Sequence, residues 1–301
     1  GILNVREKDI RDLTGVEAFS NAIGIQASDN EIEKVNFRWN RNFYSVDIWN
    51  NRLTEIDDSH NLKVTNFNCS RNEIEKIEVN KNTDLFALNC GYNKLEYVDL
   101  KQNSKLVLLD LSGNRFSSLD ISQNQKLKKV FLKENELNTL DVTFNAELAY
   151  LSVEENKLLE IDVRRNKKLE TFYCGDNLLT TLNLEKNPNL RWLKAADNEL
   201  SNVSFSEGAP LNIIELGRNK LTNLKLKNMA FLERLVVNKN QINELYFDES
   251  VALNYLDVSS NEITSKLDIG NYQKLRNVYV NDTQLPGLNV ANGTNYLMRN
   301  V

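Results

Sequence analysis

Residues 85–105 read LFALNCGYNKLEYVDLKQNSK, and the rest of the chain repeats or caps this stretch. With Leu85 as position one of a 21-residue unit, position nine is Asn93. Steps of 21 in either direction land on Asn30, Asn51, Asn72, Asn114, Asn135, Asn156, Asn177, Asn198, Asn219, Asn240 and Asn261. Apolar residues return as strictly at positions one, four, six, eleven, fourteen and sixteen, here Leu85, Leu88, Cys90, Leu95, Val98 and Leu100.

Side chains at positions four and six of a short strand face one way, while those at three, five and seven face the other. The first set is core and the second is surface. One coil of this length cannot enclose six apolar side chains, so coils must stack and like positions must form ladders. The amide at position nine carries the donors and acceptor needed where the strand turns away and no sheet partner reaches the backbone. The spacing matches the leucine-rich repeat signature. It predicts a mostly β solenoid, right-handed by the rule for parallel crossovers, with parallel strands on a concave face and few or no helices. The second half of each coil, as in LDISQN or IDVRRN, alternates apolar and polar residues and predicts further extended segments.

We read residues 1–21 as a degenerate N-terminal capping coil, 22–296 as thirteen tandem repeats and 297–301 as a tail, all one continuous domain. In the cap, Leu3, Val5, Ile10 and Leu13 match repeat positions, Lys8 replaces the ladder Asn, and Gly15 marks a tight turn one residue late. A second Asn recurs at position nineteen from Asn40 to Asn187 and is then replaced by Gly208, Met229 and Ser250. With Pro210 at the same joint, a change of curvature or a convex loop is expected beyond about residue 205. An extra residue near Lys266 and Thr283 in place of the ladder Asn mark fading regularity. Asp58 stands at the apolar position sixteen, either solvated by an outward shift of its turn or paired with His60.

Charge excludes several partners. The chain has 37 basic and 42 acidic residues, interspersed, for a net charge of −5, so there is no basic field for nucleic acid. No apolar run approaches the roughly 18 residues of a membrane span. The chain opens on Gly1 directly against repeat-like sequence, which leads us to expect that a targeting segment preceded it. Cys69, Cys90 and Cys174 all fall at position six. Cα atoms on adjacent coils, about 4.8 Å apart, permit a Cys69–Cys90 disulfide, but parallel stacked side chains seldom have the required torsion. Free buried thiols are the favoured reading, and a zinc site is weaker because His60, the one histidine, occupies another coil position.

The stretches LNVREKDIRDLTGVEAFSN and NCSRNEIEKIEVNKNTDLFALNCGYNKLEYVDLKQNSKL resemble the internalin-like leucine-rich repeat proteins of bacteria, and more closely their 21-residue, cysteine-containing subgroup. The resemblance covers essentially the whole chain. It implies an extracellular or cell-surface protein whose concave strand face engages another macromolecule, often in adhesion to host cells.

The residues offer little for catalysis: one His, three core Cys, no phosphate-cradling Gly loop and no pair of His at metal-ligand spacing. We therefore expect no enzyme, no cofactor and no metal. The concave face carries the candidate site: Lys129, Phe131, Lys133, Tyr150, Glu154, Tyr173, Trp192, Lys194 and Glu215. Phe131, Tyr150, Tyr173 and Trp192 come from four consecutive coils at surface positions, the composition of a binding hot spot. The competing reading is that they stack across strands and stabilise the sheet. Trp49, Tyr255 and Tyr279 look more isolated. The expected partner of this monomer is a protein, such as a host surface protein, or alternatively a glycan; a passive spacer is the third reading.

Overall fold

The computed structural model describes residues 1–56, 61–247 and 252–289. Asp58, His60 and Ser250 lie outside the described residues, as does the tail. The chain divides into two compact units, Gly1–Leu148 and Ala149–Val301, each a parallel β-solenoid.

In the first unit the main-sheet strands are Ile2–Asn4, Gly24–Gln26, Ser45–Asp47, Asn66–Asn68, Ala87–Asn89, Leu108–Asp110 and Lys129–Phe131, paired in parallel in chain order. In the second they are Tyr150–Ser152, Thr171–Tyr173, Trp192–Lys194, Ile213–Glu215, Arg234–Val236, Tyr255–Asp257 and Asn277–Tyr279, also in chain order. Register follows the repeat, as in Leu151 opposite Phe172. It slips by one where the sequence adds a residue: Ile2 pairs with Gly24, and Tyr255 with Asn277. Leu88, Leu109 and Leu151, all at position four, are fully buried within their units. Among the described residues the one helical segment is a 3-10 turn at Val16–Ala18, entered through Gly15 at φ 98°.

The ladder asparagines work as stitches between coils. Asn51 Nδ2 donates to Ala27 O of the coil before at 3.0 Å, while its Oδ1 accepts the amide of Ile32 at 3.0 Å. The same amide also donates to Ile48 O and Trp49 O in its own turn. Closing that turn forces position eight into the left-handed region in every described repeat, with φ near 54° at Asn50 and 55° at Tyr92. The strain is accepted by Asp29, Arg71, Glu134 and Lys239 alike, and only Gly113 avoids it. Thr283 partly replaces the missing Asn, its hydroxyl donating to Val280 O at 2.7 Å.

The second ladder is fully buried from Asn40 to Asn187. Its amides donate to the previous coil from Asn40 through Asn145 and again at Asn187, as Asn103 Nδ2 does to Val79 O and Asn82 O, both at 2.9 Å. Past the end of that ladder Met229 fills the position as a buried apolar group, and back strands pair at several places along the chain, among them Glu55–Ile56 with Lys76–Ile77, Thr181–Leu184 with Asn202–Phe205, and Asn223–Leu226 with Glu244–Phe247. The three cysteines are buried and form no disulfide, with Cys69 Sγ and Cys90 Sγ 3.2 Å apart.

Candidate interaction face

Parity along each strand decides the chemistry of its outer side. In the first unit position five carries Asp47, Asn68, Asn89 and Asp110, short polar groups largely turned onto their own backbone. Asn68 Nδ2 donates to Asp47 Oδ1 at 3.1 Å, and Asp110 Oδ1 accepts the amide of Ser112 at 3.0 Å. Burial pushes the Asp47 carboxyl above its usual range, partly offset by the nearby Arg6 guanidinium. Lys129, Phe131 and Lys133 belong to this unit. Lys129 is exposed, Phe131 half-buried, and Lys133 Nζ lies 3.2 Å from Glu134 Oε1.

The second unit is different: its outer strand side carries a row of large and charged groups. Tyr150 and Tyr173 meet edge to face, with ring centroids 5.7 Å apart. Thr171 sits in register between Tyr150 and Trp192 and is only 6% exposed although it points outward. Lys194 Nζ lies 5.4 Å from the Tyr173 ring and 3.4 Å from Glu215 Oε2. Glu215 Oε1 in turn accepts the Arg234 Nε–H at 2.8 Å. The Arg234 guanidinium stands 3.8 Å from the Tyr255 ring centroid, and Tyr255 meets Tyr279 at 5.4 Å. The result is an unbroken row: Tyr150, Tyr173, Lys194, Glu215, Arg234, Tyr255, Tyr279.

This row brings together four of the candidate residues, Tyr150, Tyr173, Lys194 and Glu215. Glu154 stands beside it, its carboxylate accepting the Ser152 hydroxyl. Trp192 is half-buried on the same side. The aromatics are therefore less exposed than a surface position suggests, because strands about 4.8 Å apart let neighbouring rings cover one another. Large apolar groups that do face water lie elsewhere, at Trp39, Tyr97, Phe144 and Phe231.

Arg234 was not among the sequence candidates, and Tyr255 and Tyr279 are not isolated. Their contacts switch columns: Glu215 at position five meets Arg234 at position three, Arg234 meets Tyr255 within position three, and Tyr255 meets Tyr279 at position five, so no single column of the repeat reveals the row. The signal available in the sequence was the alternation of charge over three successive coils, Lys194 and Glu215 at position five and Arg234 at position three.

Electrostatics hold the row in place. Burial, then Tyr173, then Glu154 push the Tyr150 phenol up to about 12. Burial also raises Tyr255, against the opposing pull of Arg234. Glu215 is shared by two cations and is the least exposed of the three, at 22% of its side chain against 44% for Lys194 and 35% for Arg234. Partly exposed pairs of this kind contribute only about 0.5–1 kcal/mol each to stability. Their main effect is to fix two cations and four phenol rings in place before any partner arrives. At position seven the row is flanked by small residues, Gly175, Ala196 and Gly217. A Cβ on Gly175 would lie 3.1 Å from Ala196 O, so this flank must stay low.

Among the described residues no three His, Cys, Asp or Glu side chains are grouped so as to hold a metal ion, and no helix is long and apolar enough to cross a membrane.

No protein-family model matches the sequence, and no curated protein matches it significantly. Solved structures do. The functional domain of InlJ from Listeria monocytogenes, which includes a cysteine ladder, is 25% identical, with a TM-score of 0.71 over 92% of this chain and 67% of that one. The internalin InlF of the same species is 20% identical, with a TM-score of 0.79 over 95% and 86%. A leucine-rich repeat protein of Leptospira interrogans is 21% identical, with a TM-score of 0.76 over 99% and 88%. The chain is internalin-like in fold and repeat length, and its three buried cysteines, Cys69, Cys90 and Cys174, fit the cysteine-containing subgroup to which the InlJ ladder points.

Proposed function

We propose, from this internalin-like solenoid and its preformed surface row, that the chain is a non-catalytic protein-binding module. It acts as a monomer on the bacterial surface or after secretion, in adhesion or another contact with a host surface protein. The patch assigned to the partner comprises Lys129, Phe131, Lys133, Tyr150, Glu154, Tyr173, Trp192, Lys194 and Glu215. One observation carries the reading: Tyr173, Lys194, Glu215, Arg234 and Tyr255 hold one another in place on the outer side of the strands. Aromatic and Arg anchors fixed by their neighbours are what hot spots are made of, and the likeness to InlJ and InlF supports a protein-interaction role.

The test is a titration of labelled protein on intact host epithelial cells, before and after protease or glycosidase treatment. Saturable binding should be lost after protease treatment. Joint replacement of Tyr173 and Trp192 by Ala should weaken it about 30-fold, equivalent to about 2 kcal/mol. Because both rings are half-buried, the variant should also lose some stability, so its circular dichroism must be native at the assay temperature. Undiminished binding by the folded variant would reject the patch, and loss with glycosidase alone would favour a glycan.

A further inference from the structure

The first unit holds an aromatic that neither packing nor the strand face explains. Trp39 is 55% exposed, on the turn at position eighteen, between the fully buried Phe37 and Asn40. Its mount is rigid, because Asn40 Nδ2 donates to Val16 O at 3.0 Å and the Asn40 amide to Phe37 O at 2.9 Å. The same position elsewhere holds Lys81, Gln102, Gln123, Arg165 and Lys186, so the solenoid does not need a large ring there. Phe144 alone among these repeats also places an aromatic at this site.

Trp39 borders a hollow of about 550 Å³, a size typical of small-ligand sites. The hollow lies where the longer capping coil turns through Gly15 and the 3-10 segment Val16–Ala18. Its lining is net acidic: the carboxylates Asp12, Glu17 and Glu55 outnumber the one lining cation, Lys34, while Arg38 and Arg41 stand beside the indole. The two guanidiniums stand 5.6 and 5.8 Å from the Trp39 centroid, against 3.8 Å where Arg234 closes on Tyr255, so they flank the ring without sealing it. Asp12 Oδ1 already accepts the Thr14 hydroxyl at 2.7 Å, which fixes one rim of the site.

We propose that this hollow binds a neutral saccharide, with a pyranose ring stacked on Trp39 and its hydroxyls bonded to the surrounding carboxylates and Asn36. A sugar ring has an apolar C–H face that needs a flat platform, and a rim of hydroxyls that both donate and accept. An anion would meet three lining carboxylates, and a cation would meet Lys34 with Arg38 and Arg41 beside the ring, so a neutral ligand rich in donors and acceptors fits best. The site lies apart from the strand-face row, and its test does not depend on that row.

The three tryptophans provide their own reporters. The indole N–H signals of Trp39, Trp49 and Trp192 are followed by NMR while chitotriose, maltotriose and lactose are titrated separately, with choline as a cationic comparison. At least one sugar should move the Trp39 signal saturably at concentrations up to about 20 mM, in the range of a weak single-site interaction. Trp49 and Trp192 should stay still, choline should leave all three unmoved, and Trp39→Ala should abolish the heat of sugar binding by calorimetry. Absence of a Trp39 shift with every sugar, a response to choline alone, or a saturable shift confined to Trp192 would overturn the assignment.

Discussion

Replacing Asn114 tests the stitching role of the position-nine ladder. Its Nδ2 donates to Cys90 O at 3.0 Å, Leu111 O at 3.0 Å and Ser112 O at 3.2 Å, while Oδ1 accepts the Leu95 amide at 2.9 Å. The three carbonyls have other donors, in Asn93 Nδ2, Asn135 Nδ2 and the Tyr92 amide. The Leu95 amide lies in a fully buried residue and has no second acceptor among the described residues. Asn114→Ala therefore orphans one buried N–H, at about 1–3 kcal/mol, and removes three further bonds to carbonyls that keep other donors, for about 3 kcal/mol overall. Asn103→Ala is the control. Asn103 is more buried, yet its Oδ1 receives no donor from the protein, and the carbonyls it serves also accept the Asn82 and Leu85 amides. Urea unfolding followed by two probes should rank Asn114→Ala as clearly the more damaging, and hydrogen exchange should show lost protection at the Leu95 amide. Asn114→Asp adds a pH signature. Its carboxylate would keep the Leu95 bond but face three carbonyls, so the folded pKa would rise above the unfolded value. Stability would be fullest below about pH 4 and fall as pH rises. An Asn114→Ala variant within about 1 kcal/mol of the parent, or an unchanged Leu95 amide, would refute the reasoning.

Two further outcomes follow from buried ionisable groups. Burial, reinforced by Glu154, holds the Cys174 thiol well above its ordinary range, and Cys69 and Cys90 are equally buried. A thiol reagent should react little with native protein and with all three cysteines after denaturation without reductant; a signal that appears only after reduction would mean a disulfide. Tyr150, held near 12, should stay neutral where an unfolded tyrosine has already ionised. The unfolded state then binds fewer protons, so stability declines from about pH 10 upward. Ultraviolet titration should show a late-ionising phenol that Tyr150→Phe removes, and an unchanged curve in that variant would count against the contact with Tyr173 and Glu154.

The sequence by itself determined the repeat, the core and the turn chemistry. A 21-residue period with fixed apolar positions leaves one way to bury Leu88 or Leu109, and an Asn on every coil names the group that closes the turn. The extended second half expected of every coil forms paired strands only in some, such as Thr181–Leu184 with Asn202–Phe205, whereas the one-residue register slips were legible for the same reason as the repeat, since insertions shift a strict period. The left-handed position eight was not, because Arg71, Tyr92 and Glu134 share a backbone conformation without sharing any side-chain chemistry. The surface row was half legible. Parity told which way Tyr173 and Glu215 point, but joining Glu215 to Arg234, 19 residues on, depends on side chains reaching diagonally across strands. The Trp39 hollow needed tertiary structure altogether, because its walls come from the cap and from two later coils. A periodic sequence fixes direction, whereas lateral contact depends on side-chain length and rotamer in neighbouring coils, and only the folded chain sets those together.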